Sequence, residues 1–141
     1  MRDILFRGKR VDDGNWVEGY YAKTSDMFTD ETYDIIFRVD VVACLDIDKF
    51  DGYRAVHPET VGQFTGLLDK NGVKIFEGDI VKFASGITRS VVFSEWLAEF
   101  EFDNHDPVEN PDGCCLCCDH EYCEVVGNIW DNPELLKGDT I

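Results

Sequence analysis

The stretch HPETVGQFTGLLDKNGVKIFEGDIVKF, residues 57–83, decides the fold. Asn71-Gly72 predicts a tight turn whose two central residues both take positive φ. Gly78 stands immediately before Asp79-Ile80-Val81, where a backbone bend would re-aim the chain into a strand. Ile80 to Phe83 then mixes apolar and polar positions in the manner of a half-buried strand. Turn, bend and strand follow within a dozen residues, a pattern of β hairpins and not of helices.

The flanks read the same way. At the N-terminus, ILFRGKRV alternates apolar Ile4 and Phe6 with polar Arg7 and Lys9, DDGN supplies an Asp-Gly turn, and WVEGYYA returns as the second strand. YDIIFRVDVVA (33–43) is β-branched and predicts a buried strand. Downstream, Ser85-Gly86 turns the chain into ITRSVVF. In SEWLAEFEF, Phe93, Trp96, Leu97 and Phe100 fit helical spacing, yet Phe100 and Phe102 alternate with Glu99 and Glu101; strand–turn–strand is the preferred reading. YCEVVGNIW predicts a closing strand. Asn132 as N-cap, Pro133 at the first helical position and Gly138 beyond the end predict one final helical turn. Phe6–Gly19 and Phe64–Gly78 share Phe-x-Gly, an Asp/Asn-Gly turn and a closing Glu-Gly; the first three features lie 58 residues apart and the last 59. A common glycine-turn pattern explains this echo as well as duplication does.

The expected architecture is mainly β: an antiparallel sheet with a small barrel that removes its own edges, an N-terminal β-hairpin lobe (1–56) and a short C-terminal helical turn. The 141 residues, 44% hydrophobic and rich in aromatics, suffice for a packed interior. No apolar run approaches the roughly 18 to 20 residues that span a bilayer. MRDILFRGKR breaks its apolar run too early for a signal peptide. A soluble protein of the cytoplasm is expected.

The net charge of −16 is uneven: residues 101–141 hold eleven acids against one lysine, and residues 1–56 hold twelve acids against eight bases. That field repels phosphate backbones and disfavours nucleic-acid binding. A local basic strip, Arg7, Lys9 and Arg10 with Trp16 nearby, is the exception, and a solvated strand face is its simpler explanation.

Three blocks carry a resemblance. PETVGQFTGLLDKNGVKIFEGDIV is similar to the core signature of the YopX family of bacteriophage and prophage proteins. MRDILFRGKRVDDGNWVEGYY resembles that family's opening and CEVVGNIWDNPELL its close. The resemblance implies an SH3-like barrel over 57–141, or one continuous YopX domain over 1–137, and action in the cytoplasm of a bacterial host. It implies no catalytic residues. The recurring residues Gly62, Gly66, Asn71, Gly72, Gly78, Asp79, Gly127, Asn128 and Pro133 all read as turn, cap or bend chemistry.

Candidate chemistry concentrates in DGCCLCCDHEYC, residues 112–123, which holds five of the six cysteines. Cys114/Cys117 and Cys115/Cys118 have C-x-x-C spacing, and a structural zinc would take Cys114, Cys117, His120 and Cys123, with His105 as another donor. The two pairs overlap and no second knuckle exists. A cysteine-rich loop without dedicated chemistry therefore outweighs both a metal site and a redox role, and no cofactor is expected. Disulfides are disfavoured in a reducing cytosol. Cys44 reads as a small core residue, and DIDKFDG departs from a calcium loop at position five (Phe50) and position twelve (His57). GQFTG and DKNG lack the lysine and following helix of a phosphate loop.

No catalytic set assembles, so a non-enzyme is expected. The leading expectation is an accessory protein that self-associates as a homo-oligomer and binds a host or phage protein, away from membranes. The alternatives are a nucleic-acid-binding barrel on Arg7, Lys9, Arg10 and Trp16, and an acidic DNA mimic.

Overall fold

The computed structural model describes residues 3–25, 28–38, 53–103 and 116–139. The described chain is mainly β, and no helix among these residues is long and apolar enough to cross a membrane. It forms two compact units, residues 1–63 and 64–141. The division falls a few residues beyond position 56, because the first residues of β5 belong to the N-terminal ladder.

Unit one contains β1 (Phe6–Lys9), β2 (Trp16–Ser25), β3 (Thr32–Arg38), β4 (Tyr53–Ala55), a 3-10 turn at Pro58–Thr60 and the start of β5 (Gly62–Leu68). The strands run antiparallel in the order β4-β3-β2-β1-β5. The predicted first hairpin is present, with Lys9 opposite Trp16 and Phe6 opposite Gly19. Its turn is held by Asp13, whose Oδ1 accepts from the Asn15 amide at 2.9 Å, and by Gly14 at φ +72°. Val17, Ile36 and Val56 form the core, with Phe6, Tyr21 and Val61 packed against it. Gly8 admits this packing: a Cβ there would stand 2.9 Å from Val56 Cβ. The predicted 33–43 strand runs from Thr32 to Arg38; its remainder and Cys44 lie outside the described residues.

Unit two contains the rest of β5, β6 (Lys74–Phe76), β7 (Asp79–Phe83), β8 (Thr88–Ser94), β9 (Glu99–Phe102), α1 (Leu116–Asp119), a 3-10 turn at His120–Tyr122, β10 (Cys123–Asn128) and 3-10 turns over Pro133–Asp139. A four-stranded antiparallel sheet runs β10-β7-β8-β9. Its core is Ile75, Val81, Val91, Phe102, Leu116 and Cys123, flanked by Leu67, Phe83, Phe100 and Val125. Every strand pairing among the described residues is antiparallel.

Local details differ from the sequence expectation in four places. At Asn71-Gly72 only Gly72 takes positive φ, +79°. The Asp69 amide bonds to the Val73 carbonyl at 2.8 Å, closing a three-residue loop that ends in a left-handed glycine. Asp69 explains the change: its Oδ1 accepts from the Asn71 and Val73 amides at 2.8 and 2.9 Å, which holds Asn71 in ordinary backbone space. The CCLCCD stretch, expected as loop, includes α1, because Leu116 is drawn into the core. The C-terminal turn is 3-10 and runs through Gly138. Asn132 Oδ1 reaches back, accepting from the Asn128 amide at 3.3 Å. The internal echo holds only at the turns: Gly14 and Gly72 share positive φ, but Gly19 lies inside β2 and Gly78 is a bend at φ +89°.

Gly78 is fixed by contact as well as by conformation. A Cβ there would lie 2.3 Å from the Trp130 ring. The Asp79 carboxylate braces the same bend, its Oδ2 accepting from the Phe76 amide at 2.8 Å.

Candidate functional site

The β8–β9 hairpin carries the most conspicuous unsatisfied surface in unit two. Val91 faces Phe102, Val92 faces Glu101, Phe93 faces Phe100 and Ser94 faces Glu99. Cross-strand partners share a face, so the period of two divides the hairpin cleanly. One face begins in the core with Val91 and Phe102 and continues outward as Phe93 and Phe100, whose rings meet edge-on at 5.1 Å. The other face carries Glu99 and Glu101. The turn itself holds Trp96 at 93% exposure and Leu97 at 56%, next to Phe93 at 44%.

This tip has a defined shape. The Leu97 amide donates to Ser94 Oγ at 3.2 Å, and Ala98 takes φ +55°, an uncommon conformation for a side chain with a Cβ. An apolar face thus leaves the core and ends in a tryptophan that touches little of its own chain. The same four apolar residues also fit helical spacing, but the strand–turn–strand reading is the one that forms. Strand pairing instead makes Phe93 and Phe100 partners and pushes Trp96 and Leu97 into the turn.

Of the candidate zinc ligands, Cys117, His120 and Cys123 lie among the described residues. Cys114 and His105 lie outside the described residues. Cys117 and Cys118 are exposed, with their sulfurs 3.8 Å apart. Cys123 opens β10 and is buried in the core. Its thiol donates to the His120 carbonyl at 3.3 Å. Burial first, and the nearby Asp69 carboxylate second, push that thiol up to about 11. It is therefore a protonated core side chain at neutral pH, and not a ready thiolate. His120 Nδ1 donates to the Leu68 carbonyl at 2.6 Å, since a carbonyl oxygen can only accept, and this leaves Nε2 as the other ring nitrogen. Among the described residues no three histidine, cysteine or acidic side chains gather in a metal-binding group.

The basic strip is also committed internally. Arg10 forms a two-pronged pair with Asp12, Nε–Oδ1 at 2.9 Å and Nη2–Oδ2 at 2.7 Å, and Nη1 lies 3.1 Å from Asp13 Oδ2. The Arg7 guanidinium stacks on Trp16 with its carbon 4.9 Å from the ring centre, and Lys9 Nζ lies at 6.0 Å. A cation–π stack of this kind ties the side chains of β1 to Trp16 of β2.

Asp69 is a buried acid whose two carboxylate oxygens both accept from backbone amides. Besides the two turn amides, its Oδ2 accepts from the Val125 amide at 2.9 Å, tying the β5–β6 turn to β10. Burial alone would raise its pKa, but the backbone donors of Val125, Val73 and Asn71 outweigh that and hold the carboxyl below its ordinary 3.8. It is a brace; every oxygen is spent on backbone. Burial alone raises the Glu77 carboxyl above its ordinary value.

These features define a β-rich protein with an exposed aromatic hairpin. The family model described as YopX protein matches residues 5–137, nearly the whole chain, and the chain belongs to the YopX family. No curated protein matched it. Among solved structures, it is similar to the crystal structure of protein EF1440 from Enterococcus faecalis, with a TM-score of 0.53 and 21% identity over 96% of this chain and 99% of that one. At that identity the likeness speaks to the fold.

Proposed function

We propose that this chain is a non-enzymatic accessory protein of phage or prophage origin that acts in the host cytoplasm through protein–protein contact, with the β8–β9 tip as its contact surface. The single observation that carries this reading is Trp96, which is 93% exposed at the end of an apolar face continuous with the core. Fully burying such a side chain against a partner contributes on the order of 2–3 kcal/mol, and tryptophan at a protruding centre is a frequent anchor of interfaces.

Self-association is one use of this surface and a separate host or phage protein is the other. Sedimentation of the parent protein and of Trp96→Ala, followed by capture from infected host lysate with both, tests the reading. Loss of an oligomer, or of a captured protein, in the variant alone is the expected result. A strict monomer with identical captures from parent and variant would overturn it.

Nucleic-acid binding is the weaker reading. Arg10 is paired to two aspartates, and Arg7 and Lys9 lie on Trp16. A binding assay with double-stranded DNA at low salt is expected to show no affinity; binding lost on changing Arg7 or Lys9 would revive it.

A further inference from the structure

The tip surface described above continues along an edge. In the sheet order β10-β7-β8-β9, β9 is an outer strand, with β8 as its one ladder neighbour among the described residues. An outer strand presents backbone N–H and C=O groups in a row and is a template for another chain. Natural proteins blunt such edges, often with charge. Here the residues Glu99-Phe100-Glu101-Phe102 place acids on one face and aromatics on the other.

That pattern bears on which chain can pair there. An antiparallel pairing of β9 with its own copy must keep each side chain on a common face. It is then centred either on Phe100, which sets Glu99 against the copy's Glu101, or on Glu101, which meets itself. Each register opposes like charges directly across the ladder, which is destabilising. Addition of a second copy is therefore discouraged by the strand's own sequence. A strand whose basic residues face Glu99 and Glu101, and whose apolar residues face Phe100, meets opposite charge on one side and aromatic surface on the other. The field of the whole chain, −16, favours the same basic visitor.

We propose that the outer edge of β9 accepts an extended segment of a different protein, alternating basic and apolar residues, as an added strand. The inference rests on the tip reading and assigns it a partner chemistry. Main-chain bonds to β9 supply affinity, the alternation supplies specificity, and Trp96 and Leu97 cover the apolar side of the incoming strand.

The test uses the full chain and three capped peptides: one alternating lysine and leucine, one with the same composition arranged in blocks, and one alternating glutamate and leucine. The first is expected to bind at least about tenfold tighter than the second, a factor worth about 1.4 kcal/mol. Hydrogen exchange should slow at residues 99–102 when it binds. In Glu99→Lys/Glu101→Lys the preference should reverse toward the glutamate peptide. Equal affinity for alternating and blocked peptides would overturn the proposal, as would protection elsewhere or an unchanged preference in the variant. Such a failure would leave the Trp96 comparison intact, because sedimentation and capture read the tip without assuming strand addition.

Discussion

Asp69→Asn is the substitution whose consequence follows most directly from the structure. The carboxylate accepts from three backbone amides at 2.8–2.9 Å, two in its own turn and one 56 residues away at Val125. Asparagine keeps one oxygen. If that oxygen stays on the turn, its NH2 group confronts the Val125 N–H, donor against donor. A buried donor left unmet costs about 1–3 kcal/mol, and demoting the two turn bonds from charged to neutral costs about another 1 kcal/mol each. Removing a buried charge returns about 1 kcal/mol or more, so the net loss is about 2–4 kcal/mol at pH 7. Urea denaturation followed by tryptophan emission measures it. The sign with pH is also fixed. Because the folded carboxyl sits below its ordinary 3.8, its contribution is complete above that value and is lost as pH falls through the folded pKa. The gap between parent and variant must therefore narrow below about pH 4. A loss under about 0.5 kcal/mol at neutral pH, or a gap that widens in acid, would refute the brace.

Three further outcomes follow from other contacts. Gly78→Ala should destabilise unit two by at least about 2 kcal/mol, because alanine resists φ +89° and its Cβ meets the Trp130 ring at 2.3 Å; thermal denaturation with near-ultraviolet dichroism reads both effects. In native protein at pH 8, iodoacetamide should modify Cys117 and Cys118 well before Cys123, and mild urea should remove the difference, as mass spectrometry of digests will show. The hydrogen bond to Asp34, with burial second, raises the Tyr21 hydroxyl to about 12 from 10.0, so its share of stability is intact below pH 10 and fades between 10 and 12. Tyr21→Phe should lose stability at neutral pH and show a shallower alkaline decline in denaturation midpoints.

Much of the architecture was legible locally. Asp-Gly and Asn-Gly punctuation located the hairpins, alternation located β7 and β8, and the Glu-Phe-Glu-Phe run chose strand over helix for 99–102. These signals act between neighbours in sequence, where turn conformation and side-chain period are decided by sterics. Even there a long-range partner intervened: the turn at Gly72 took its form with Asp69 braced to Val125, a residue no local rule connects to it.

The candidate site divides along the same line. The sequence alone determined the mainly β character, the turns at Gly14, Gly72 and Gly86, the acidic field and membership of the YopX family; Gly62, Gly66 and Gly127, read as turn or bend residues, lie inside strands. The sequence also supplied every atom of the cysteine cluster and of the Phe93–Phe102 segment. What it could not determine was orientation. Tertiary packing buried Cys123 among Val91, Phe102 and Leu116, turned His120 Nδ1 to the Leu68 carbonyl 52 residues away, and left Trp96 in water. Period and propensity say which residues share a face, but only the packed sheet says whether that face meets the core, another chain or solvent.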